Sequence, residues 1–252
     1  MIITKTPFRM SFFGGGTDME EYFKENGGAV LSTSFDKYCY VNVRHLPPFF
    51  QYSTELSYSK TERVNSLDEI QHPAIREAMR MLNMQEIRLM YEADLPARSG
   101  LGTSSSFAVG MLHAFHALKG KYVDKKSLAD QAIHLERVLC KEAGGWQDQI
   151  AASFGGLNRI DFSAEGYRVS PILISPERKQ RLNENLMLFF TGFTRFSSEI
   201  QKANQSSSPE DKNALLREMR ALVDEGADIL CSKGRDLDDF GRLLHSTWEL
   251  KR

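Results

Sequence analysis

Pro96-Ala-Arg-Ser-Gly-Leu-Gly-Thr-Ser-Ser-Ser-Phe107 places Gly100 and Gly102 on either side of one leucine and follows them with four hydroxyl residues, Thr103 to Ser106. Apolar residues then recur at Phe107, Met111, Ala114 and Leu118, the spacing of one helix face. A glycine-rich loop that runs into a helix leaves backbone N–H groups unpaired beneath a partial positive charge, an arrangement suited to phosphate. Glycines let the backbone approach an anion closely, and hydroxyls can bind phosphate oxygens or a metal. It is not a Walker A loop, because no Lys-Ser/Thr follows the second glycine. It is not a dinucleotide fingerprint either, because the third glycine is absent.

Two further stretches could carry chemistry. Gly144-Gly-Trp-Gln-Asp-Gln149 sets an acid between two amides after paired glycines, either held against a substrate or capping a helix. Pro7-Phe-Arg-Met-Ser-Phe-Phe-Gly-Gly-Gly-Thr-Asp18 ends in a triple-glycine turn. That turn is a flexible β-turn or a place where backbone lies against a ligand, with Arg9, Thr17 and Asp18 supplying polar contacts. His113 and His116 have no carboxylate or thiol at ligand spacing, so they read as ordinary helix-face histidines.

The elements that must position these groups follow from pattern. Ile2–Thr4 reads as a short strand, and 19–24 as a short helix with Asp18 as its N-cap. Residues 29–35 and 38–44 read as two strands, 52–59 as another, 67–82 as a ragged helix and 87–91 as the strand feeding the glycine loop. A helix is predicted over 125–141, capped by Asp124, with Leu128, Ala132, Leu135 and Leu139 as its apolar stripe. Strands follow at 157–162 and 186–190. The polar stretch 175–181 reads as a domain boundary, and 205–209 as a Ser-rich linker. Two helices close the chain, carrying Leu215, Met219, Leu222 and Ile229, then Phe240, Leu244 and Trp248.

Composition sets the frame. The 252 residues carry a net charge of −1, which gives no global attraction to nucleic acid or an anionic membrane. No apolar run approaches the ~20 residues of a membrane helix. No signal peptide is visible, and three widely spaced cysteines read as reduced thiols of a cytoplasmic protein.

Taken together, the three stretches resemble the GHMP kinase family in order and separation. Pro96 with Gly-Leu-Gly-Thr-Ser-Ser105 resembles its ATP-phosphate loop. Pro7-x-Arg9 with Gly14–Asp18 resembles its substrate motif, and Gly144-Gly-x-Gln-Asp-Gln149 the segment bearing the catalytic aspartate. Gly-Gly-Gly-Thr-Asp18 and Thr191-Gly-x-Thr-Arg195 are similar to the sugar 1-kinase branch, the heptose 7-phosphate kinases and fucokinase-like enzymes. The resemblance implies an α+β fold, with an N-terminal domain over 1–175 like domain 2 of ribosomal protein S5. A ferredoxin-like C-terminal domain over 180–252 is expected to be incomplete, since the family's later glycine-rich motif is absent and the chain stops within a helix.

The resemblance also implies roles. Pro96, Ser99, Gly100, Leu101, Gly102, Thr103, Ser104, Ser105 and Ser106 would hold ATP, and Ser104 and Glu136 would ligate Mg²⁺. Asp148 would be the base, and Arg9 would stabilise charge on the transferring phosphoryl or lower the hydroxyl's pKa. Gly15, Gly16, Thr17, Asp18 and Gln147 would bind the sugar, and Arg195 a distal phosphate on it. A sugar or sugar phosphate is the expected partner, with no nucleic acid or membrane, in a chain that could form a homodimer.

Overall fold

The computed structural model describes residues 1–96, 99–189 and 209–252. It is an α+β structure of two compact units. The first gathers Met1–Arg9, Phe35–Gly144 and Asp148–Phe154; the second gathers Met10–Ser34, Gly145–Gln147 and Gly155–Arg252.

In the first unit the strands β3 (Thr54–Ser57), β4 (Thr61–Val64) and β5 (Ile87–Ala93) join the later part of β2 (Gly28–His45). β3 pairs parallel with β5, while β2–β5 and β3–β4 are antiparallel, so the sheet is mixed. Helices α2 (Pro73–Met81), α3 (Thr103–Leu118) and α4 (Lys125–Ile133) supply the rest of its core. Val41, Val43, Leu89, Met111, Phe115 and Leu135 are fully buried in that core. α3 buries nearly its whole first three turns, Ser105 and Ser106 included. The Asp124 carboxylate caps α4 by accepting from Ser127 N–H at 2.9 Å, as the sequence indicates.

β1 (Ile2–Phe13) delivers Arg9. Thr4, Thr6 and Phe8 alternate inward, and the Thr4 hydroxyl donates to the Gly110 carbonyl at 2.9 Å. The Ser106 hydroxyl donates to Pro7 O at 2.9 Å, and Arg9 N–H donates to Leu101 O at 3.2 Å. The strand therefore runs antiparallel to α3 and reaches the helix start at Arg9. Among the described strands β1 pairs only with β2, so it is an edge strand, where proline is tolerated.

The second unit holds the early part of β2, paired antiparallel with β6 (Leu157–Ser163), which pairs with β7 (Gly166–Pro171). Around them lie α1 (Glu20–Asn26), α6 (Pro176–Glu184), α7 (Pro209–Cys231) and α8 (Leu237–Lys251). Phe12, Phe13, Leu31, Val223, Ile229 and Phe240 form its core, with Phe240 edge-on to both phenylalanines.

Several expected elements differ. The short strand at 2–4 is twelve residues long, because alternating burial continues through Phe8. The two strands at 29–35 and 38–44 are one, β2; Asp36 and Lys37 break the apolar pattern without breaking the backbone. The ragged helix at 67–82 is a short 3-10 turn at Leu67–Glu69, then α2 from Pro73. The stretch read as a boundary is α6, with Ser175 as its cap, and β7 has no counterpart in the pattern-based reading. Residues 186–189 form no strand: Met187, Leu188 and Phe189 are exposed. The last residue of that expected strand, and most of the Ser-rich linker, lie outside the described residues.

Candidate active site

The helix predicted over 125–141 is α-helical only to Ile133. His134–Leu139 is a π-helical turn. Its wider ring appears in Cys140 N–H, which donates to Leu135 O five residues back. Such turns re-aim side chains inside helices, often at functional sites. Here the turn buries Glu136 to 1% exposure, while Leu139 of the expected stripe is left out at the surface. Burial pushes the Glu136 carboxyl above its ordinary pKa, and nearby Arg137, Ser105 and Gln149 offset this only in part. Ser104 Oγ donates to Glu136 Oε1 at 3.2 Å and Ser105 Oγ to Oε2 at 2.8 Å. The Gln149 amide donates to Oε2 as well.

The loop before α3 turns at Gly100 and Gly102, both left-handed. Gly102 at φ 72° would be strained with any side chain, and a Cβ there would lie 3.2 Å from Arg9 Cγ and 3.4 Å from Asp148 Oδ2. Among the described residues no side chain caps α3. A helix start of this kind, here Thr103 to Ser105, can bind an anion through its first amides. Pro96 precedes the loop. The buried Ser99 Oγ has no hydrogen-bond partner among the described residues.

Arg9 and Asp148 meet across the chain. Arg9 Nε donates to Asp148 Oδ1 at 2.7 Å and its Nη2 lies 2.6 Å from the same oxygen. Arg9 Nη1 also donates to Gly100 O at 3.3 Å. Asp148 lies in the first turn of α5 (Gln147–Phe154), where the helix dipole favours an acid. The first unit thus joins an ion pair, a glycine-rich helix start and a Ser–Glu oxygen pair. These can neutralise phosphates, hold a cation and accept a proton.

The second unit brings together the other predicted residues. Thr17 is fully buried; its hydroxyl contacts Gly14 O at 2.7 Å and Ala29 O at 2.8 Å and accepts from Ala29 N–H at 3.1 Å. Asp18 is 2% exposed and does not cap α1, whose N-cap is Met19. Its carboxylate instead accepts from Gly16 N–H at 3.0 Å, Gln147 N–H at 3.2 Å and Gln147 Nε2 at 3.1 Å. Gly145 permits this approach, since a Cβ there would fall 1.9 Å from Asp18 Oδ2. Gln147 Oε1 is buried without a partner among the described residues. Gly15 and Gly16 line the turn. Arg195 lies outside the described residues.

Residues 70–156 match the GHMP kinases N terminal domain, a span that contains the glycine loop, Glu136 and Asp148. Over that segment the chain is similar to the GHMP kinases. D-glycero-alpha-D-manno-heptose 7-phosphate kinase of Campylobacter jejuni is 24% identical, over 100% of this chain and 77% of that protein. L-fucokinase/L-fucose-1-P guanylyltransferase of Bacteroides fragilis is 27% identical, over 97% of this chain and 30% of that protein. A solved D-glycero-D-manno-heptose 1-phosphate kinase from Bacteroides thetaiotaomicron shares the fold, with a TM-score of 0.81 and 23% identity. That match covers 100% of this chain and 79% of the solved one.

Sequence reasoning missed Gln149 as a contact of Glu136, and it missed Arg137. The Arg137 guanidinium donates to the carbonyls of Glu142 and Ala143 at 3.0 and 3.1 Å, bracing the loop before Asp148. Only the i, i+13 spacing of Glu136 and Gln149 hints at the first, and it is not a helical spacing. Among the described residues no helix is long and apolar enough to cross a membrane.

Proposed function

We propose that this chain is an ATP-dependent sugar kinase acting on the anomeric hydroxyl of D-glycero-D-manno-heptose 7-phosphate, feeding nucleotide-activated heptose into surface polysaccharide. The observation that carries the reading is the Arg9–Asp148 pair set against the Gly100–Gly102 loop, with Ser104 and Glu136 alongside. The heptose-kinase relatives supply the substrate class.

The amides of Thr103 to Ser105 hold the ATP phosphates. Ser104 and Glu136 offer hard oxygens that suit Mg²⁺, which usually needs only one or two protein ligands beside phosphate and water. Bound there, Mg²⁺ would neutralise phosphate charge. The sugar C1 oxygen attacks the γ-phosphorus, the bond to the β–γ bridging oxygen breaks, and ADP leaves with that electron pair. The hydroxyl proton passes to the Asp148 carboxylate. Arg9 fixes that carboxylate through Oδ1 and places a positive charge beside the loop. Gly15, Gly16 and Gln147 hold the sugar, and the unpartnered Gln147 Oε1 accepts from a sugar hydroxyl. Thr17 and Asp18, whose polar atoms are engaged within the turn, shape it. Arg195 pairs with the distal phosphate, a role suited to its planar fork.

ADP release measured over a panel of heptose 7-phosphate, free heptose and L-fucose tests this reading. Heptose 7-phosphate is expected to give the highest kcat/KM, and Arg195→Ala to lower it on that substrate alone. A preference for L-fucose would move the chain to the fucokinase reading, which the 27% identical relative favours. Binding of sugar or nucleotide with no turnover would mark a non-catalytic binding protein.

A further inference from the structure

Glu136 carries an asymmetry that the proposed metal role does not by itself require. Its Oε2 faces three donors: the Ser105 hydroxyl at 2.8 Å, the Gln149 amide, and the Arg137 guanidinium at 3.6 Å. Among the described residues Oε1 faces only the hydroxyl of Ser104, which is exposed where Ser105 is buried. Gln149 is wholly buried, and its Oε1 has no partner among the described residues. A buried amide left half-satisfied carries a cost, so its presence needs a compensating use of the other half. With Glu136 ionised, as a metal ligand must be, reversing the amide would set an oxygen against the carboxylate, which repels it, so the donor end faces Glu136.

We infer that Gln149, with Ser105, is a positioning residue that occupies Glu136 Oε2 and so presents Oε1 alone, beside Ser104, to the divalent cation. This rests on the kinase reading. Gln149 follows the proposed base Asp148 directly and lies in the same first turn of α5, so one helix start orients both the base and the metal carboxylate. Carboxylate ligands are commonly tuned by such outer partners, and losing one typically costs about 10–100-fold in metal affinity.

The test is a titration of the protein with Mn²⁺ in the presence of AMPPNP, followed by electron paramagnetic resonance. Metal-free AMPPNP affinity and thermal unfolding serve as controls. Gln149→Met, which keeps the length and loses the donor, is expected to weaken Mn²⁺ binding about 10–100-fold while metal-free nucleotide affinity stays within about twofold. Ser105→Ala is expected to weaken it less, in the same direction. A folded Gln149→Met that binds Mn²⁺ as the parent does overturns the inference and leaves the kinase reading standing. Should Gln149→Met not fold, Ser105→Ala with parental Mn²⁺ affinity overturns it equally. If the parent binds no Mn²⁺–AMPPNP, the kinase reading falls and the inference with it.

Discussion

Two glycine-rich segments, the loop at Gly100–Gly102 in the first unit and the turn at Gly14–Gly16 in the other, are alike in sequence. Each sets closely spaced glycines before hydroxyl or acidic residues, yet the two use those residues differently. In the loop, no side chain among the described residues caps the helix start, Ser104 is exposed and burial penalises the charge of Glu136. In the turn, the Thr17 hydroxyl and the Asp18 carboxylate are engaged by neighbouring backbone and Gln147. On the proposed reading the loop keeps polar groups for a ligand at a cost to folding, whereas the turn uses them to build its own shape. Substitutions should therefore separate: those in the loop region lower activity with little loss of stability, and those in the turn lower stability first.

The largest effect is expected at Asp148→Asn. Turnover should fall about 10²–10⁴-fold in the ADP-release assay, with the melting temperature nearly unchanged. Retained turnover would remove the base assignment, and a collapsed fold would erase the contrast between the regions. Gly145→Ala comes next. Its methyl would meet Asp18 Oδ2 at 1.9 Å and Asp18 O at 2.9 Å, so urea unfolding should show a loss of about 1–3 kcal/mol. Thr17→Val, which leaves Gly14 O and Ala29 N–H without their hydroxyl partner, should cost a similar or smaller amount, about 1–3 kcal/mol. Its KM for sugar, measured on the folded fraction, should hardly move; a large KM change with parental stability would make Thr17 a substrate ligand.

The smallest effect concerns pH. The folded-state pKa of Glu136 is raised by burial, so the native state keeps a proton that the unfolded chain releases. Its stabilising contribution is complete below the unfolded pKa and is lost as pH rises through the folded one. Glu136→Gln should flatten that decline in metal-free unfolding curves. Adding Mg²⁺ with nucleotide should recover the lost stability in the parent and not in the variant. An unchanged pH slope would show that Glu136 is not held in its charge-penalising state.

Local interactions made much of this legible from the chain alone. The helix after Gly102, the Asp124 cap and the strand at 157–162 follow from spacing and capping chemistry within a few residues. The resemblance in the three motifs pointed to the family whose N-terminal domain matches residues 70–156. Other features depend on partners far away in the sequence. β2 continues past Asp36 and Lys37, and the helix at 125 opens into a π turn at 134. Neither the polar break nor the apolar stripe encodes those outcomes, because packing, not local propensity, decides them.

The sequence by itself marked Arg9, the loop from Gly100 to Ser106 and Asp148 as able to do chemistry, and the resemblance added Glu136. Only the tertiary structure decided what each one does with its polar atoms. Arg9 reaches Asp148 across 139 residues and Gln147 reaches Asp18 across 129, separations at which a sequence pattern carries no geometry. A carboxylate aimed at a ligand and one engaged by backbone amides are the same letter in the chain. Burial and the donors that folding brings to them make the difference.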